Sequence, residues 1–381
     1  MNRPAPSLRS DVDPFIVMDV LARAQALEAE GRRIVHLEVG QPGTPAPEGA
    51  RRAVTEAMAK GTLGYTAGLG LPALRRGIAR RYAERHGVDL DPARVVVTAG
   101  ASGAFVLAFS LLFDAGDRVG LGVPGYPSYR SILKAMSLEP VLIETRAADR
   151  FQPRPEDVTG LRGLIVASPA NPTGTILTRA ELAALGDACR AEGTALISDE
   201  IYHGLTWSGE EATALEVAPD AVIVNSFSKY FSMTGWRIGW LVVPPHLARR
   251  AEMLAQNLFI CASHAGQVAA LAALACEEEL DAIRDGYARS REVVMAGLRA
   301  AGLTGFAPPE GAFYVYVDIS GSGLSSLDLS GRLLEEAGVA VTPGLDFDPG
   351  RGGDWLRISY AGPEPDVAEG MERIRDWLEA R

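Results

Sequence analysis

The sequence predicts an α/β fold with a mostly parallel sheet, joined to a smaller α+β unit. Two observations predict this fold. From about Ala93 onward, short apolar runs rich in β-branched residues alternate with longer amphipathic stretches, and in the C-terminal third this alternation gives way to a different pattern. Regular alternation of strands and helices is typical of an α/β layer built on a parallel sheet. The changed pattern near the C-terminus indicates a second unit.

Seven short runs are the predicted strands of the sheet. Most of them are apolar at every position, as expected for strands that helices cover on both faces. The runs are RVVVT (94–98), RVGLG (118–122), PVLIE (140–144), GLIVA (163–167), TALIS (194–198), AVIVN (221–225) and RIGWLVV (237–243). Amphipathic stretches such as residues 179–192 lie between the runs, and these are predicted helices.

The two ends of the chain are predicted to form the smaller unit. Residues 267–279 and 281–301 are predicted helices, and the segments GAFYVYVDI, LLEEAGVAVTP and DWLRISYAG then precede a final helix. An amphipathic helix is predicted near the N-terminus, over residues 15–30. We therefore expect an N-terminal arm that contributes to the small domain (1–45), a large domain (46–285) and a small C-terminal domain (286–381).

Composition excludes several classes of protein. The 381 residues include 37 Lys plus Arg and 48 Asp plus Glu, a net charge of −11, which argues against a nucleic-acid partner because phosphates are bound through clustered basic residues. The longest apolar stretches, 104–113 and 265–276, are too short to span a bilayer. The first fifteen residues contain no apolar signal-peptide segment, and the three cysteines lack CxxC spacing, so we expect a cytoplasmic protein without disulfides. The five histidines are scattered, and no metal site is expected.

Lysine is scarce in this chain. Only Lys60, Lys134 and Lys229 occur, so 34 of the 37 basic residues are arginine, as a GC-rich genome would favour. Lys60 ends a predicted helix and Lys134 occupies a polar position of another, which is typical of surface lysines. Lys229 lies instead between serines and a glycine-rich segment. Any chemistry that needs a lysine amine therefore has three candidates, of which Lys229 is the strongest.

Reactive side chains follow the predicted strands at the point where each strand ends. Because ligands of parallel α/β sheets bind at the carboxyl ends of the strands, these segments can be considered together. They are AGASG (99–103), PGYPSY (124–129), SPANPTG (168–174), DEIY (199–202) and SFSK (226–229). This edge collects a helix N-terminus, aromatic rings, an amide, a carboxylate, hydroxyls and an amine. Such a set fits a flat, phosphorylated, electron-withdrawing cofactor.

Three of these groups have a specific chemical interpretation. Gly100 allows a phosphate to approach the free N–H groups of a helix start, to which Ser102 adds a hydroxyl, although such a start more often serves packing. The run lacks the G-x-G-x-x-G pattern of nicotinamide binders. Asp199 follows a buried strand, where a cationic ring nitrogen or, alternatively, an arginine would stabilise it. The Lys229 amine can form a Schiff base if burial lowers its pKa.

The sequence resembles the class I/II aminotransferases around aspartate aminotransferase, which are pyridoxal-phosphate enzymes of fold type I. The resemblance extends from Pro14 to the C-terminus, and the order and spacing of its motifs are highly specific. The motifs are NPTG (171–174), DEIY (199–202), SFSK (226–229), GWRIG (235–239) and RISYAG (357–362). The resemblance implies a three-layer sandwich with a smaller α+β domain, pyridoxal 5'-phosphate as cofactor, and a homodimer with shared active sites.

The resemblance also implies a role for each matching residue. Lys229 would bind the cofactor covalently and move the substrate proton, with Asp199 on the ring nitrogen and Tyr202 on the ring hydroxyl. The remaining cofactor contacts would come from Gly100, Ala101, Ser102, Tyr126, Asn171, Ser226, Ser228, Arg237 and, from the neighbouring subunit, Tyr65. The substrate contacts would come from Gly40, Asn171, Arg357, Phe15 and Ile16, with Arg357 holding the α-carboxylate. Phe259 and Phe313 are further apolar residues implied near the pocket.

The expected reaction is ping-pong transfer of an amino group from an L-amino acid to a 2-oxo acid. Relatives that accept dicarboxylates add a cation for the distal carboxylate, but residues 254–266 contain no Arg or Lys, and Ser102 stands where others have lysine. A neutral or aromatic donor is therefore expected at least as readily as aspartate, with 2-oxoglutarate as the default acceptor. Two alternatives stay open: a C–S β-lyase or related lyase on the same scaffold, and a non-catalytic effector-binding domain.

Overall fold

The computed structural model of the chain describes residues 4–61 and 63–381. The helices of this part are α1 (Ile16–Ala29), α2 (Glu48–Lys60), α3 (Pro72–His86), α4 (Gly100–Leu112), α5 (Pro127–Ala135), α6 (Arg179–Glu192), α7 (Ala248–Phe259), α8 (His264–Ala273), α9 (Glu277–Ala300), α10 (Ser326–Arg332) and α11 (Glu364–Glu379). The strands are β1 (Val35–His36), β2 (Val95–Thr98), β3 (Arg118–Val123), β4 (Glu139–Glu144), β5 (Gly163–Ala167), β6 (Ala195–Asp199), β7 (Val222–Ser226), β8 (Gly239–Val242), β9 (Tyr314–Asp318), β10 (Val339–Ala340), β11 (Thr342–Pro343) and β12 (Trp355–Ser359). None of these helices is both long and apolar enough to cross a membrane.

A seven-stranded sheet in the order β2-β8-β7-β6-β5-β3-β4 forms the centre of the protein. All seven predicted runs are strands of this sheet, and the prediction of a mostly parallel sheet is confirmed. The exception is β8, which is antiparallel to both of its neighbours, β2 and β7. Its direction follows from the connection to β7, which is short and contains no crossover helix of the kind that parallel neighbours require.

Helices cover the sheet on both faces, so the prediction of a layered α/β fold is confirmed. Alternate residues of a strand enter two separate apolar clusters: Val95 and Val97 lie in one, whereas Val96 lies in the other. The edge strand β4 differs, since Leu142 at its centre is 41% exposed. An edge strand lacks a neighbour on one side, and its apolar sequence alone does not reveal that position.

The ends of the chain meet in two further sheets. A three-stranded antiparallel sheet has the order β11-β12-β9, and β1 pairs in parallel with β10, placing Val35 opposite Val339. Helix α9 packs along α11 beside these sheets. The expected boundary between residues 285 and 286 falls inside the continuous helix α9, and the three-part division of the chain stays a prediction.

One predicted helix is divided in the structure. Residues 267–279 were expected to form a single alanine-rich helix, but α8 ends at Ala273 and α9 begins at Glu277. Three glutamates, 277–279, occupy the first turn of α9. Acidic side chains stabilise the positive end of the helix dipole, so this sequence favours a new helix start over the continuation of α8.

Candidate active site

The structure brings most of the predicted site residues to one cavity at the carboxyl edge of the large sheet. The cavity has a volume of about 220 Å³. The predicted residues that line it are Phe15, Gly40, Ala101, Ser102, Tyr126, Asn171, Asp199, Tyr202, Ser228, Lys229, Arg237 and Arg357. They come from the segments that follow β2, β3, β5, β6 and β7, together with the N-terminal arm and β12. Strand ends therefore position the cavity, as expected for a parallel sheet.

Lys229 lies three residues beyond β7 and differs from the other two lysines. Its Nζ donates a hydrogen bond to the Gly40 carbonyl oxygen at 2.5 Å. Burial, together with the positive charge of Arg357, lowers the pKa of the Lys229 amine to about 7. By contrast, the side chains of Lys60 and Lys134 are 77% and 40% exposed and pair with carboxylates. Of the three lysines, Lys229 is therefore the one whose amine can readily lose its proton and act as a nucleophile near neutral pH.

Asp199 is the last residue of β6 and is 3% exposed. The Tyr129 hydroxyl donates to its Oδ2, and the Ile201 N–H donates to Oδ1 at 3.1 Å. Burial raises the pKa of the Asp199 carboxyl to about 6, although the hydrogen bond from Tyr129 opposes that rise. Among residues 4–61 and 63–381, no Lys or Arg nitrogen lies within 4.0 Å of this carboxylate. The salt bridge considered as an alternative is absent there, and a cationic ring nitrogen would stabilise the carboxylate.

A group of donors surrounds the start of α4. Gly100 has φ +72°, and a Cβ at this position would lie 2.4 Å from Nη2 of Arg237. The next two residues, Ala101 and Ser102, line the cavity with N–H groups that have no partner within the helix. The hydroxyls of Ser226 and Ser228 lie 2.8 Å apart, with Ser226 behind Ser228. Backbone N–H groups, hydroxyls and a guanidinium are the donors that a phosphate requires.

Arg357 on β12 is 3% exposed and is held on several sides. Its Nη1 donates to Asn171 Oδ1 at 3.1 Å, and its Nη2 donates to Thr342 Oγ1 at 3.2 Å and to the Glu38 carbonyl oxygen. The guanidinium lies 4.5 Å from the centre of the Tyr314 ring. Its Nε has no hydrogen-bond partner within the part of the chain that the structure describes. A fixed guanidinium with donor capacity to spare can bind a carboxylate in the cavity.

Two tyrosines of the cavity were not predicted from the sequence. Tyr129 contacts Asp199, and the Tyr314 hydroxyl lies 2.8 Å from that of Tyr202. A Cβ on Gly40 would lie 1.7 Å from the Tyr314 hydroxyl, so only glycine fits beside that ring. Tyr129 lies within the PGYPSY segment, whose position after a strand was a usable signal. Tyr314 belongs to β9, whose first four residues are all buried, and the sequence of such a strand gave no such signal.

Some predicted residues lie outside the cavity lining. Gly100 and Ser226 lie directly behind it, while Val17 and Met18 line it instead of Ile16. The Ile16 N–H donates to Asp346 Oδ1 at 3.1 Å, because this residue begins α1. Tyr65, Phe259 and Phe313 also lie outside the cavity lining. Tyr65 and Phe259 are 83% and 37% exposed, and Phe313 is fully buried behind Tyr202.

Comparison with known proteins identifies the family. The family model described as aminotransferase class I and II matches residues 32–374. The chain is 47% identical to a valine–pyruvate aminotransferase of Mycobacterium tuberculosis over 98% of both chains, and 33% identical to an aspartate aminotransferase of Geobacillus stearothermophilus, also over 98% of both. A crystal structure of an aminotransferase from Mycobacterium tuberculosis superposes with a TM-score of 0.97 at 45% identity, covering all of both chains. The chain belongs to the class I and II aminotransferases.

Membership of this family confirms the predicted fold, cofactor and reaction. The protein is a fold type I aminotransferase that uses pyridoxal 5'-phosphate to move amino groups between amino acids and 2-oxo acids. The aminotransferase names of these relatives favour transamination over the lyase and effector-binding alternatives. The residues of the cavity fit the cofactor: the donors around α4 fit its phosphate, Asp199 fits its ring nitrogen, and Lys229 fits its aldehyde.

Proposed function

We propose that this aminotransferase acts on a neutral aliphatic L-amino acid and uses pyruvate as amino acceptor. The observation that carries this proposal is the apolar part of the cavity lining. It consists of the side chains of Phe15, Val17, Met18, Val39, Phe105 and Ile132. The basic residues of the lining are Lys229, Arg237 and Arg357. Lys229 and Arg237 are assigned to the cofactor and Arg357 to the substrate α-carboxylate, so none is left for a charged side chain of the substrate. An apolar pocket without a further cation favours a small hydrocarbon side chain over a charged one.

This proposal replaces 2-oxoglutarate, the default acceptor, with pyruvate. The distal carboxylate of 2-oxoglutarate would lie against apolar surface, where an unpaired charge is costly. Residues 254–266, from which some relatives supply an arginine to the neighbouring subunit, contain no Arg or Lys. The relative at 47% identity is named for valine and pyruvate, and that name supports the same substrates here.

The proposed binding of the cofactor follows from the groups around the cavity. Arg237, the hydroxyls of Ser102 and Ser228, and the N–H groups of Ala101 and Ser102 hold the phosphate, while Ser226 supports Ser228 from behind and Gly100 leaves room for the phosphate. Tyr126 covers one face of the ring, which is consistent with its place in the cavity lining. Asp199 pairs with the ring nitrogen, while Asn171 and Tyr202 bind the ring hydroxyl. When bound, the protonated cofactor ring acts as an electron sink for the substrate.

The proposed handling of the substrate rests on Arg357 and Lys229. Arg357 holds the α-carboxylate, with Asn171 fixing the guanidinium from the side at 3.1 Å and the backbone of Gly40 completing the contact. The neutral amine of Lys229 would accept the proton from the substrate Cα and deliver it to C4′ of the cofactor. A pKa of about 7 allows this amine both to accept and to release a proton near neutral pH.

A panel of half-reactions tests the proposed substrates. L-valine, L-alanine, L-phenylalanine and L-aspartate are each mixed with the holoenzyme, and the loss of the cofactor's visible absorbance is followed. We expect kcat/KM for L-valine to exceed that for L-aspartate by at least ~100-fold, because the aspartate carboxylate would be desolvated without a partner. Pyruvate is expected to restore the absorbance faster than 2-oxoglutarate. Equal rates with L-valine and L-aspartate would contradict the proposal, and release of ammonia would indicate a lyase.

We further propose that two copies of the chain form a homodimer through the surface around Tyr65. Tyr65, Leu258 and Ile260 are 83%, 49% and 53% exposed. The two segments that carry them are neighbours, because His264 Nδ1 lies 2.8 Å from the Gly64 carbonyl oxygen and the Thr66 N–H donates to Cys261 Sγ at 3.5 Å. Large apolar side chains exposed together mark an interaction surface. The resemblance to the family implies that Tyr65 would then reach the phosphate of the partner's site.

Sedimentation of matched variants tests the dimer. The wild-type protein at micromolar concentration is expected to sediment as a dimer of the 40.4 kDa chain. Ile260→Asp combined with Leu258→Asp is expected to shift it to monomers and to reduce kcat by at least ~10-fold, because a charge buried at an interface is not solvated. Leu327→Asp is the control, since Leu327 is 48% exposed but lies on α10. A wild-type monomer with full activity would refute the proposal.

We also propose that the protein is located in the cytoplasm. Cys189, Cys261 and Cys276 are all free thiols in the structure. Free cysteines are typical of proteins in reducing compartments, and amino-acid metabolism supplies the substrates there.

A further inference from the structure

Two histidines and a glutamate form a cluster outside the catalytic cavity. His86 is the last residue of α3, His203 directly follows Tyr202, and Glu211 lies in the segment between β6 and β7. One potential ligand atom from each of the three side chains lies within 4.8 Å of the others. The imidazole rings have centroids 5.3 Å apart. Residues distant in sequence thus bring nitrogen and oxygen ligands to one point.

The cluster contains buried nitrogens that lack partners. The side chains of His86 and His203 are 6% and 8% exposed. His203 Nε2 has no hydrogen-bond partner among residues 4–61 and 63–381, and neither has His86 Nδ1, which faces Glu216 Oε1 at 3.5 Å. Buried polar atoms are normally satisfied, so these nitrogens require an explanation. Because His86 presents its other nitrogen, Nε2, to Glu211, a ligand shared with Glu211 would explain the unsatisfied His203 Nε2.

The glutamate is oriented for the same purpose. Glu211 Oε2 accepts hydrogen bonds from the Gly204 N–H at 2.6 Å and from Thr206 Oγ1 at 2.9 Å. These bonds fix the carboxylate and leave Oε1 facing His86 Nε2 at 4.0 Å. Metal-binding carboxylates are commonly held by such outer hydrogen bonds.

We propose that His86, His203 and Glu211 bind a divalent transition-metal ion, for which zinc is the probe. Two imidazoles and one carboxylate are a ligand set that zinc accepts in proteins, with water as a fourth ligand. Zinc bonds of ~2.0–2.2 Å require the ligand atoms to approach more closely than they do in the structure, so the proposal includes a rotation of the two histidine side chains toward Glu211. The site is separate from the catalytic residues, because none of its three side chains lines the catalytic cavity.

Both carboxylates and arginines surround the cluster. Glu216 Oε1 lies 3.5 Å from His86 Nδ1, although Arg179 pairs with its other oxygen at 2.9 Å, and Glu200 Oε2 lies 3.5 Å from His203 Nδ1. Arg81 and Arg85 on α3 oppose a cation, but both pair with Glu277, at 3.0 Å and 3.6 Å. Burial lowers the pKa of His203 to about 4 and lowers that of His86 as well, so both imidazoles are neutral, which is the form that binds metals. No metal site was expected from the sequence, because the fold alone brings the two histidines together.

Zinc titration of the untagged holoenzyme tests the proposal. Equilibrium dialysis with Zn²⁺ is expected to give one bound ion per chain. The midpoint temperature of thermal unfolding is expected to rise with zinc, because the ion links α3 to the segment after Tyr202. Each of His86→Gln, His203→Gln and Glu211→Gln is expected to weaken zinc binding by at least ~10-fold, since even outer-shell changes have effects of this size. Co²⁺ in place of zinc is expected to give visible absorption bands that are distinct from the cofactor's absorbance.

His246→Gln is the matched control, because His246 is exposed and lies outside the cluster. It is expected to bind zinc as the wild type does. If His203→Gln does not fold, His86→Gln at the end of α3 and Glu211→Gln keep the test decisive. Absence of zinc binding by the wild type, or unchanged affinity in the folded cluster variants, would overturn the proposal and leave the cluster as a purely structural contact.

Discussion

Lys229→Ala is expected to reduce the turnover of every amino donor by more than about 10⁴-fold, since it removes both the covalent attachment of the cofactor and the proton-transfer group. The variant is also expected to lose the visible absorbance of the lysine-bound cofactor. No other lysine can replace Lys229, because Lys60 and Lys134 lie on the surface and pair with Glu56 and Asp13. Stopped-flow absorbance and steady-state product analysis measure both effects.

Lys134→Ala is the control for this prediction, and it is expected to keep both the absorbance and the activity. The wild-type apoenzyme provides a second measurement, because only the neutral amine attacks an aldehyde. Since burial lowers the pKa of Lys229 to about 7, the rate of cofactor capture is expected to rise with pH and to level off above about 7. A rate that still rises steeply at pH 9, or an active Lys229→Ala variant, would show that this assignment is wrong.

Arg357→Gln is expected to lower kcat/KM for L-amino acids by about 100- to 1,000-fold while the cofactor stays bound. The physical reason is that the substrate α-carboxylate would enter a buried site without its cation, and loss of a buried charge partner costs about 2–5 kcal/mol. The rings of Tyr314 and Phe347 lie 4.5 Å and 4.7 Å from the guanidinium carbon and would not solvate the carboxylate. Half-reaction kinetics at varied donor concentration measure the loss.

Arg357→Lys separates charge from geometry. Lysine keeps the positive charge but cannot make the forked contact, so this variant is expected to recover only part of the loss. An Arg291→Gln variant is the control, because Arg291 is an arginine on α9 whose Nε binds the Pro309 carbonyl oxygen. If Arg357→Gln retained the wild-type kcat/KM, or if it lost the cofactor instead, Arg357 would not be the carboxylate-binding residue.

The sequence predicted the large sheet and the catalytic edge because both depend on local signals. Apolar runs such as 163–167 and 194–198 determine the strands, and the chemistry of a parallel sheet collects at strand ends. Asp199 and Lys229 could therefore be placed together before the structure was known. Both residues line one cavity in the structure, as this reasoning predicted.

The residues that the sequence did not predict depend on contacts between distant segments. Gly40 must be glycine because of Tyr314, a residue that no spacing rule connects to it. The histidine cluster joins the end of α3 to the segment after Tyr202, and neither segment carries a metal-binding pattern. The division between α8 and α9 depends on competition between alanine propensity and the glutamates of 277–279, whose outcome a pattern of apolar residues does not decide.

The antiparallel direction of β8 has a consequence for how this site can evolve. Since β7 and β8 are adjacent and antiparallel, residues 227–238 leave and re-enter the same edge of the sheet, and Arg237 follows Lys229 by eight residues. An inserted or deleted residue in this segment would change the separation of the two groups or shift the pairing of Ser226 with Gly239, which reverses the faces of all side chains in β8. Segments that lead to separate helices can change length more freely. Diversification of this scaffold is therefore expected in those segments, while the length of residues 227–238 stays constant.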